Sequence, residues 1–225
     1  MRLLKSIALF IAIVFALLAI PLLFISGGER APTDDEAKLP WRIETLPGGG
    51  SRVFGLTLGE SILEDAYRQF GTDVQIALIA AQGESGSVEA YYDSAHVGPI
   101  TGKMILTLET TPAEREAMLK RAVKAEVTEN ASRRITLADA DLQELRRARI
   151  AGITFIPAAN LTEDVVMQRF GAPSERIRLD ANISHWLYAD RGLDIRIDAK
   201  GKEVLQYVAP ANFARLRDPL LAAAR

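Results

Sequence analysis

The sequence predicts an α+β fold in which an N-terminal transmembrane helix is followed by two related units, each a helix packed on an antiparallel sheet. Three observations favour this class. An uncharged apolar run covers residues 7–25, two similar stretches occupy residues 61–71 and 160–171, and strand-like sequence follows each of these stretches. The pattern indicates an apolar N-terminal segment and a duplicated helix–sheet module.

Residues 1–26 are predicted to form a membrane anchor. A helix over the apolar run 7–25 is roughly 28 Å long, close to the thickness of the hydrocarbon core of a bilayer. Arg2 and Lys5 precede the run and acidic residues dominate 29–36, which favours a cytoplasmic N-terminus. The prediction is a single-pass protein of the bacterial inner membrane, bound to the lipid bilayer through residues 7–25, with a periplasmic C-terminal region. A cleaved signal peptide is the alternative.

The polar segment that follows is predicted to be a linker over residues 27–39, because it is rich in Gly, Pro, Thr and acidic residues. Residues 40–149 are predicted to be the first helix–sheet unit. Two extra helices are expected in it, over about 111–127 and 136–149, because each segment begins with a Thr followed three positions later by an acidic residue.

The repeated stretch carries the same helix signals in both copies. Ser61 with Glu64, and Asn160 with Glu163, have the spacing at which side chains satisfy the free amides of a helix start. Each stretch ends in Phe-Gly, and glycine adopts the backbone turn that stops a helix. Residues 150–225 are predicted to be the second unit, in which short strands form an antiparallel meander against the helix.

A capped helix ending in Phe-Gly-x-Pro, followed by antiparallel strands with Trp-x-Tyr, is carried by Phe170-Gly171-Ala172-Pro173, Trp186-Leu187-Tyr188 and Gly192-Leu193. This combination resembles the small envelope domain of the outer-membrane assembly lipoprotein BamE. In tandem, the helix–sheet unit also resembles the β-lactamase inhibitory proteins. The resemblance is best over residues 152–208. It implies a non-enzymatic envelope domain and assigns no role to any single residue.

The composition excludes several classes of site. The chain has no cysteine, so it forms no disulfide, no thiolate nucleophile and no cysteine-bound metal centre. A net charge of −2 gives no general attraction to nucleic acid, and no nucleic-acid partner is expected. His96 and His185 are far apart in the sequence and have no close pattern of carboxylates, so no metal site is predicted. No cofactor is predicted either.

Aromatic residues on the predicted strands are the best candidates for a binding surface. Tyr91, Tyr92, Trp186 and Tyr188 lie on such strands, and the period of two places about half of them in the core. Those that face outward are suited to contact a partner. His96, in a predicted loop, is the fifth candidate binding residue.

No set of residues with catalytic spacing is present, so no catalytic residue is predicted. The expected function is non-catalytic: a membrane-anchored periplasmic binding or scaffold protein with an envelope protein as partner, acting in assembly or maintenance of the cell envelope. The alternative is a periplasmic hydrolase or lipid-modifying enzyme whose site lies between the two units. In that case Asp93 and His96 are the first candidates.

Overall fold

The computed structural model of the protein describes residues 34–80, 86–128 and 132–224. It shows an α+β fold rich in sheet, and the predicted fold class is corrected in that no transmembrane helix appears among the described elements. Within the three described ranges, no helix is long and apolar enough to cross a membrane. The predicted anchor, residues 1–26 with the apolar run 7–25, lies outside them.

Six α-helices and thirteen strands lie in the described ranges. The helices are α1 (Asp34–Ala37), α2 (Leu63–Phe70), α3 (Pro112–Lys120), α4 (Asp139–Leu145), α5 (Glu163–Phe170) and α6 (Ala214–Ala223). The strands are β1 (Glu44–Leu46), β2 (Gly50–Val53), β3 (Leu56–Thr57), β4 (Gln75–Ala80), β5 (Ser87–Val97), β6 (Ile100–Leu108), β7 (Lys124–Val127), β8 (Arg133–Thr136), β9 (Ile150–Pro157), β10 (Glu175–Arg178), β11 (Ile183–Tyr188), β12 (Leu193–Asp198) and β13 (Val204–Val208).

Ten strands form one antiparallel sheet, in the order β10-β11-β12-β13-β9-β6-β5-β4-β8-β7, and β1, β2 and β3 form a small second sheet. The two helix–sheet units predicted over residues 40–149 and 150–225 therefore share a single sheet. We call them the first and the second helix–meander stretch. Strand β6 of the first stretch pairs with β9 of the second, with Ile105 opposite Thr154. The predicted fold class is corrected on this point too, because hydrogen bonds run across the whole width of the sheet.

One face of the large sheet carries most of the core. A row of buried residues runs across six strands, and consecutive members of the row are cross-strand partners: Tyr92, Met104, Phe155, Leu205, Ile195 and Trp186. Helices α2 and α5 add Leu63 and Phe170 to the same cluster. Phe54 lies next to the small sheet, and the centroids of the Phe54 and Phe155 rings are 5.3 Å apart. The small sheet therefore also packs at the joint, by which we mean the place where β6 and β9 pair.

The two helix–meander stretches share a detail that the sequence did not reveal. In each, a tyrosine on the second strand after the helix donates a hydrogen bond to the carbonyl of the glycine that ends the helix. The distance is 3.2 Å from Tyr92 Oη to Gly71 O, and 3.0 Å from Tyr188 Oη to Gly171 O. A helix end is thus bonded to the sheet in the same way twice, which is what two related modules would show.

Replacing either tyrosine by phenylalanine tests this shared contact. Tyr92→Phe and Tyr188→Phe are each expected to lower the free energy of unfolding by about 0.5–1.5 kcal/mol, because each removes one donor and leaves a glycine carbonyl without it. Urea titration followed by circular dichroism measures the loss. Tyr91→Phe is the matched control, with a much smaller loss expected, since its hydroxyl donates to an exposed carboxylate. A loss at one position alone would argue against equivalent roles.

The helix starts differ in part from those predicted. In α2 the capping pair is not Ser61 with Glu64: the Asp65 carboxylate accepts from the backbone N–H of Ile62 at 2.9 Å. In α5 Thr162, not Asn160, caps the helix by accepting from the N–H of Val165. The predicted cap at Thr111 is confirmed, with Pro112 at the first helical position.

Both extra helices are shorter than predicted, because a hairpin of β7 and β8 lies between them. Helix α3 ends at Lys120 and does not reach residue 127, and α4 starts only at Asp139. The short alternating segments 124–127 and 133–136 pair with each other, and β8 also pairs with β4. This hairpin forms one edge of the large sheet.

Candidate binding face

The second face of the large sheet is only partly covered. A row on this face runs through Gln75, Tyr91, Ile105, Thr154 and Gln206, on five neighbouring strands, and consecutive members are cross-strand partners. Except for Gln75, which is exposed, each of these side chains is half-buried. We call this row, together with the neighbouring Ile79, Lys103 and Ile156, the open face.

Helix α6 covers only one end of this side of the sheet. It packs with Leu216 and Leu220 against a small cluster that contains Ile177 of β10 and Leu187 of β11. Ile105 and Ile156, on the central strands β6 and β9, belong neither to this cluster nor to the main core. Apolar side chains thus remain partly accessible in the middle of the sheet, and surfaces of this kind mark interaction sites when they are contiguous.

Tyr91 lies at the centre of a polar group on the open face. Its hydroxyl donates to Asp93 Oδ1 at 2.7 Å, and Lys103 Nζ lies 3.5 Å from the same oxygen. The ammonium group is 5.9 Å from the centroid of the Tyr91 ring. The hydrogen bond from Tyr91, and then the charge of Lys103, hold the pKa of Asp93 below its ordinary value. The three side chains fix one another at the surface.

Removing the Tyr91 hydroxyl is expected to raise the pKa of Asp93 towards its ordinary value, because that hydrogen bond is the largest cause of the shift. Carboxyl NMR titration of Tyr91→Phe measures the change. A carboxyl with a depressed pKa stabilises the fold at pH values above its unfolded-state pKa. This stabilisation is lost as the pH falls through its folded-state pKa. The variant is therefore expected to lose a little stability near neutral pH and none in strong acid. Tyr92→Phe is the control, and an unchanged pKa in Tyr91→Phe would contradict the assignment.

The predicted binding residues separate into two groups. Tyr92, Trp186 and Tyr188 are each 2% exposed, so their rings belong to the core. The guanidinium of Arg176 stacks over Trp186, 3.9 Å from the ring centroid, and closes that part of the core from solvent. Tyr91 alone among the four aromatic residues presents its ring on the open face.

His96 reaches the same side of the sheet as Tyr91. A bulge between Tyr92 and Ala95 shifts the register of β5, and the side chains of Ala95 and Val97 on either side of His96 are buried. His96 therefore points outward and is exposed. The sequence predicted a loop at this position, and the structure places it near the end of the long strand β5.

The two stretches meet where β6 lies beside β9. Strands β6 and β9 are hydrogen-bonded there, and Met104 and Phe155 fill the core behind them. Five surface grooves of about 290–690 Å³ are lined by residues other than Asp93 and His96. Among the residues that the structure describes, no group of three His, Asp or Glu side chains is placed to hold a metal ion.

A buried pair of polar side chains, His185 and Asp194, also lies on this side of the sheet and was not predicted from the sequence. His185 Nδ1 lies 2.8 Å from Asp194 Oδ2, and both side chains are buried. Burial raises the pKa of Asp194, and the hydrogen bond with His185 opposes this shift. The signal in the sequence is alternation: with Trp186 in the core, His185 must face the other side of β11.

Comparisons of the chain with family models, with curated proteins and with solved structures find no match. The resemblance to the outer-membrane assembly lipoprotein and to the β-lactamase inhibitory proteins therefore stays a prediction from the motifs.

Proposed function

We propose that this protein is a non-catalytic binding protein that recognises a partner protein through the open face. The observation that carries the proposal is the row of half-buried side chains in the middle of the sheet, on strands that a helix covers at one end only. A sheet face with Tyr91, Ile105 and Ile156 partly accessible has a surface that association would remove from water.

The composition of the open face suits a protein surface as partner. Its centre combines an aromatic ring with isoleucines, and its polar members Thr154, Gln206 and Gln75 carry no charge. Lys103 has an opposite charge beside it in Asp93, 3.5 Å away. Interfaces between proteins that also exist apart have this mixture: few charges at the centre, enriched Tyr and a polar rim. This composition does not favour a highly charged ligand.

The proposed setting is the bacterial cell envelope, in its assembly or maintenance. The charges around residues 7–25 motivate this location, and the proposal places the described residues in the periplasm. Alkaline phosphatase and a cytoplasmic fluorescent protein, each fused after residue 225, measure it. Phosphatase activity is expected. Fluorescence without phosphatase activity would contradict the location, and that result would not bear on the binding face.

A photo-crosslinking amino acid at position 91 tests the binding face directly. The substitution is expected to give a discrete covalent adduct with one protein in living cells, since the side chain lies at the centre of the open face. Position 105, the cross-strand neighbour, is expected to give the same adduct. Position 120, exposed on α3 and outside the open face, is the control and is expected to give none.

The adduct should also disappear when the face is altered next to it. Ile156→Asp places a charge among the partly accessible apolar side chains, and its cross-strand neighbour is Lys103. Adduct formation from position 91 is expected to fall at least tenfold, because the added charge must be desolvated on binding (about 1.4 kcal/mol per tenfold). Equal adducts from positions 91 and 120, or none from 91 and 105, would remove the basis of the proposal.

A further inference from the structure

The outer edge of the large sheet is formed by β7. This strand pairs with β8 on one side, and no strand within the described ranges pairs with its other side. All four of its residues are exposed. Val123, just before the strand, and Val127, at its end, are 70% and 76% exposed. Such an edge offers unpaired backbone groups and apolar side chains to another strand.

The hydrogen bonds of the hairpin show which backbone groups are available. The N–H of Thr128 donates to the carbonyl of Ser132 at 2.7 Å, just beyond the end of β7. In an antiparallel pair, hydrogen-bonded positions alternate along each strand. Positions 126 and 124 therefore also face β8, whereas Ala125 and Val127 turn their N–H and C=O groups towards the free edge. The N–H of Val123, just before the strand, donates to the carbonyl of Thr136 at 2.9 Å and so also faces β8. Ala125 lies at the middle of that edge.

We propose that β7 pairs antiparallel with β7 of a second copy of this chain, with the two-fold axis at Ala125. In this register each Ala125 faces Ala125 of the other copy, and the two exchange backbone hydrogen bonds. Lys124 faces Glu126 of the other copy. The axis repeats this contact, which gives two ion pairs on one side of the extended sheet.

The charges of β7 favour a second copy of this chain as the source of the pairing strand. A lysine on an edge strand normally opposes pairing with another strand. Here Lys124 and Glu126 have opposite signs and lie one position to either side of Ala125, so a copy related by a two-fold axis presents the complement to each. Within one chain the two side chains already meet, with Lys124 Nζ 2.6 Å from Glu126 Oε1, which shows that they share one side of the strand.

Cysteine cross-linking of the full chain tests the register, because the natural sequence contains no cysteine. Ala125→Cys is expected to form a covalent dimer under mild oxidation. The Cα atoms of a hydrogen-bonded antiparallel pair are about 5.5 Å apart, within the range that a disulfide spans. Val127→Cys is the matched control: it lies about 13 Å from its own counterpart in this register, which is too far. Association through any other part of the chain would not favour 125 over 127.

Charge exchange in the Ala125→Cys background tests the ion pairs. Lys124→Glu is expected to slow dimer formation about tenfold, since the axis places two pairs of like charges opposite each other. Adding Glu126→Lys restores the complementary pattern and is expected to restore the rate. Circular dichroism of each variant establishes that it is folded. Equal cross-linking at positions 125 and 127 would overturn the proposed dimer. So would a rate of dimer formation that neither charge exchange changes.

Discussion

Replacing His185 by leucine is expected to lower the free energy of unfolding by about 1–3 kcal/mol, the usual cost of leaving a buried group without its hydrogen-bond partner. His185 and Asp194 are both buried, with Nδ1 and Oδ2 2.8 Å apart, so the substitution leaves a carboxylate without its partner in the protein interior. Urea unfolding at neutral pH, followed by circular dichroism, measures the loss. His96→Leu is the matched control, because this histidine is exposed and a change of within about 0.5 kcal/mol is expected there.

The pH dependence of this variant follows from Asp194. Burial raises its pKa in the folded protein, so the contribution of this group to stability is full below the unfolded-state value and lost as the pH rises through the folded-state value. Without His185 the pKa rises further, because the opposing hydrogen bond is gone. The loss in His185→Leu is therefore expected to be smaller near pH 4 than near pH 8. A loss that grows in acid would contradict this description of the pair.

The second variant, His185→Leu with Asp194→Leu, removes both polar side chains. It is expected to regain most of the lost stability, because replacing both partners of a buried hydrogen bond by apolar residues can be nearly neutral or stabilising. Failure of the double variant to recover, with the single variant folded, would show that the pair supports the sheet by more than its mutual attraction.

Leu78→Ala is expected to lower the free energy of unfolding by about 2–5 kcal/mol, since Leu78 on β4 is fully buried in the main core. The effect should be visible at the other end of the molecule. The only two tryptophans, Trp41 and Trp186, lie against Phe170 and on β11, far along the sheet from β4. Tryptophan fluorescence and circular dichroism are expected to give one transition at the same lowered midpoint.

The exposed Lys120→Ala serves as the control for this experiment, with an expected change of within about 0.5 kcal/mol. If the first stretch were independent of the second, Leu78→Ala would leave the fluorescence transition where it was and split the transition seen by circular dichroism.

Several elements were predictable because their signals are local. The cap at Thr111 with Pro112 and Glu114 needs only residues adjacent in sequence. The helix ends at Gly71 and Gly171 likewise follow from a residue that tolerates positive φ, 88° and 77° respectively. Recognition of the duplicated helix also rested on such local signals, and the helices lie where the two stretches predicted them.

The association of the two stretches was not predictable, because no local signal encodes which strand pairs with which. Ile105 and Thr154 are separated by an intervening hairpin and two helices, yet they are neighbours in the sheet. The hairpin of β7 and β8 was also missed. Lys124 and Glu126 have sequence preferences typical of a helix, and only pairing with β4 through β8 makes the strand favourable.

The candidate site could be predicted in kind but not in position. Period-two alternation implied that about half of the four strand aromatics lie in the core, whereas three of the four do. It could not say that Tyr91 faces outward and Tyr92 inward, because that depends on which side the helices cover. The burial of Trp186 depends further on Arg176, whose stacking over the ring joins residues of two different strands.

The most direct test of this account is a pair of cysteines across the joint of the sheet. Ile105→Cys with Thr154→Cys is expected to form an intramolecular disulfide, because the two positions are opposite each other on β6 and β9. Thr154→Cys with Gln206→Cys, neighbours within the second stretch, is the positive control. Ile105→Cys with Gln206→Cys, two strands apart at about 9.6 Å, should not close. A disulfide at the first pair confirms one continuous sheet, and its absence while the control pair closes would contradict it.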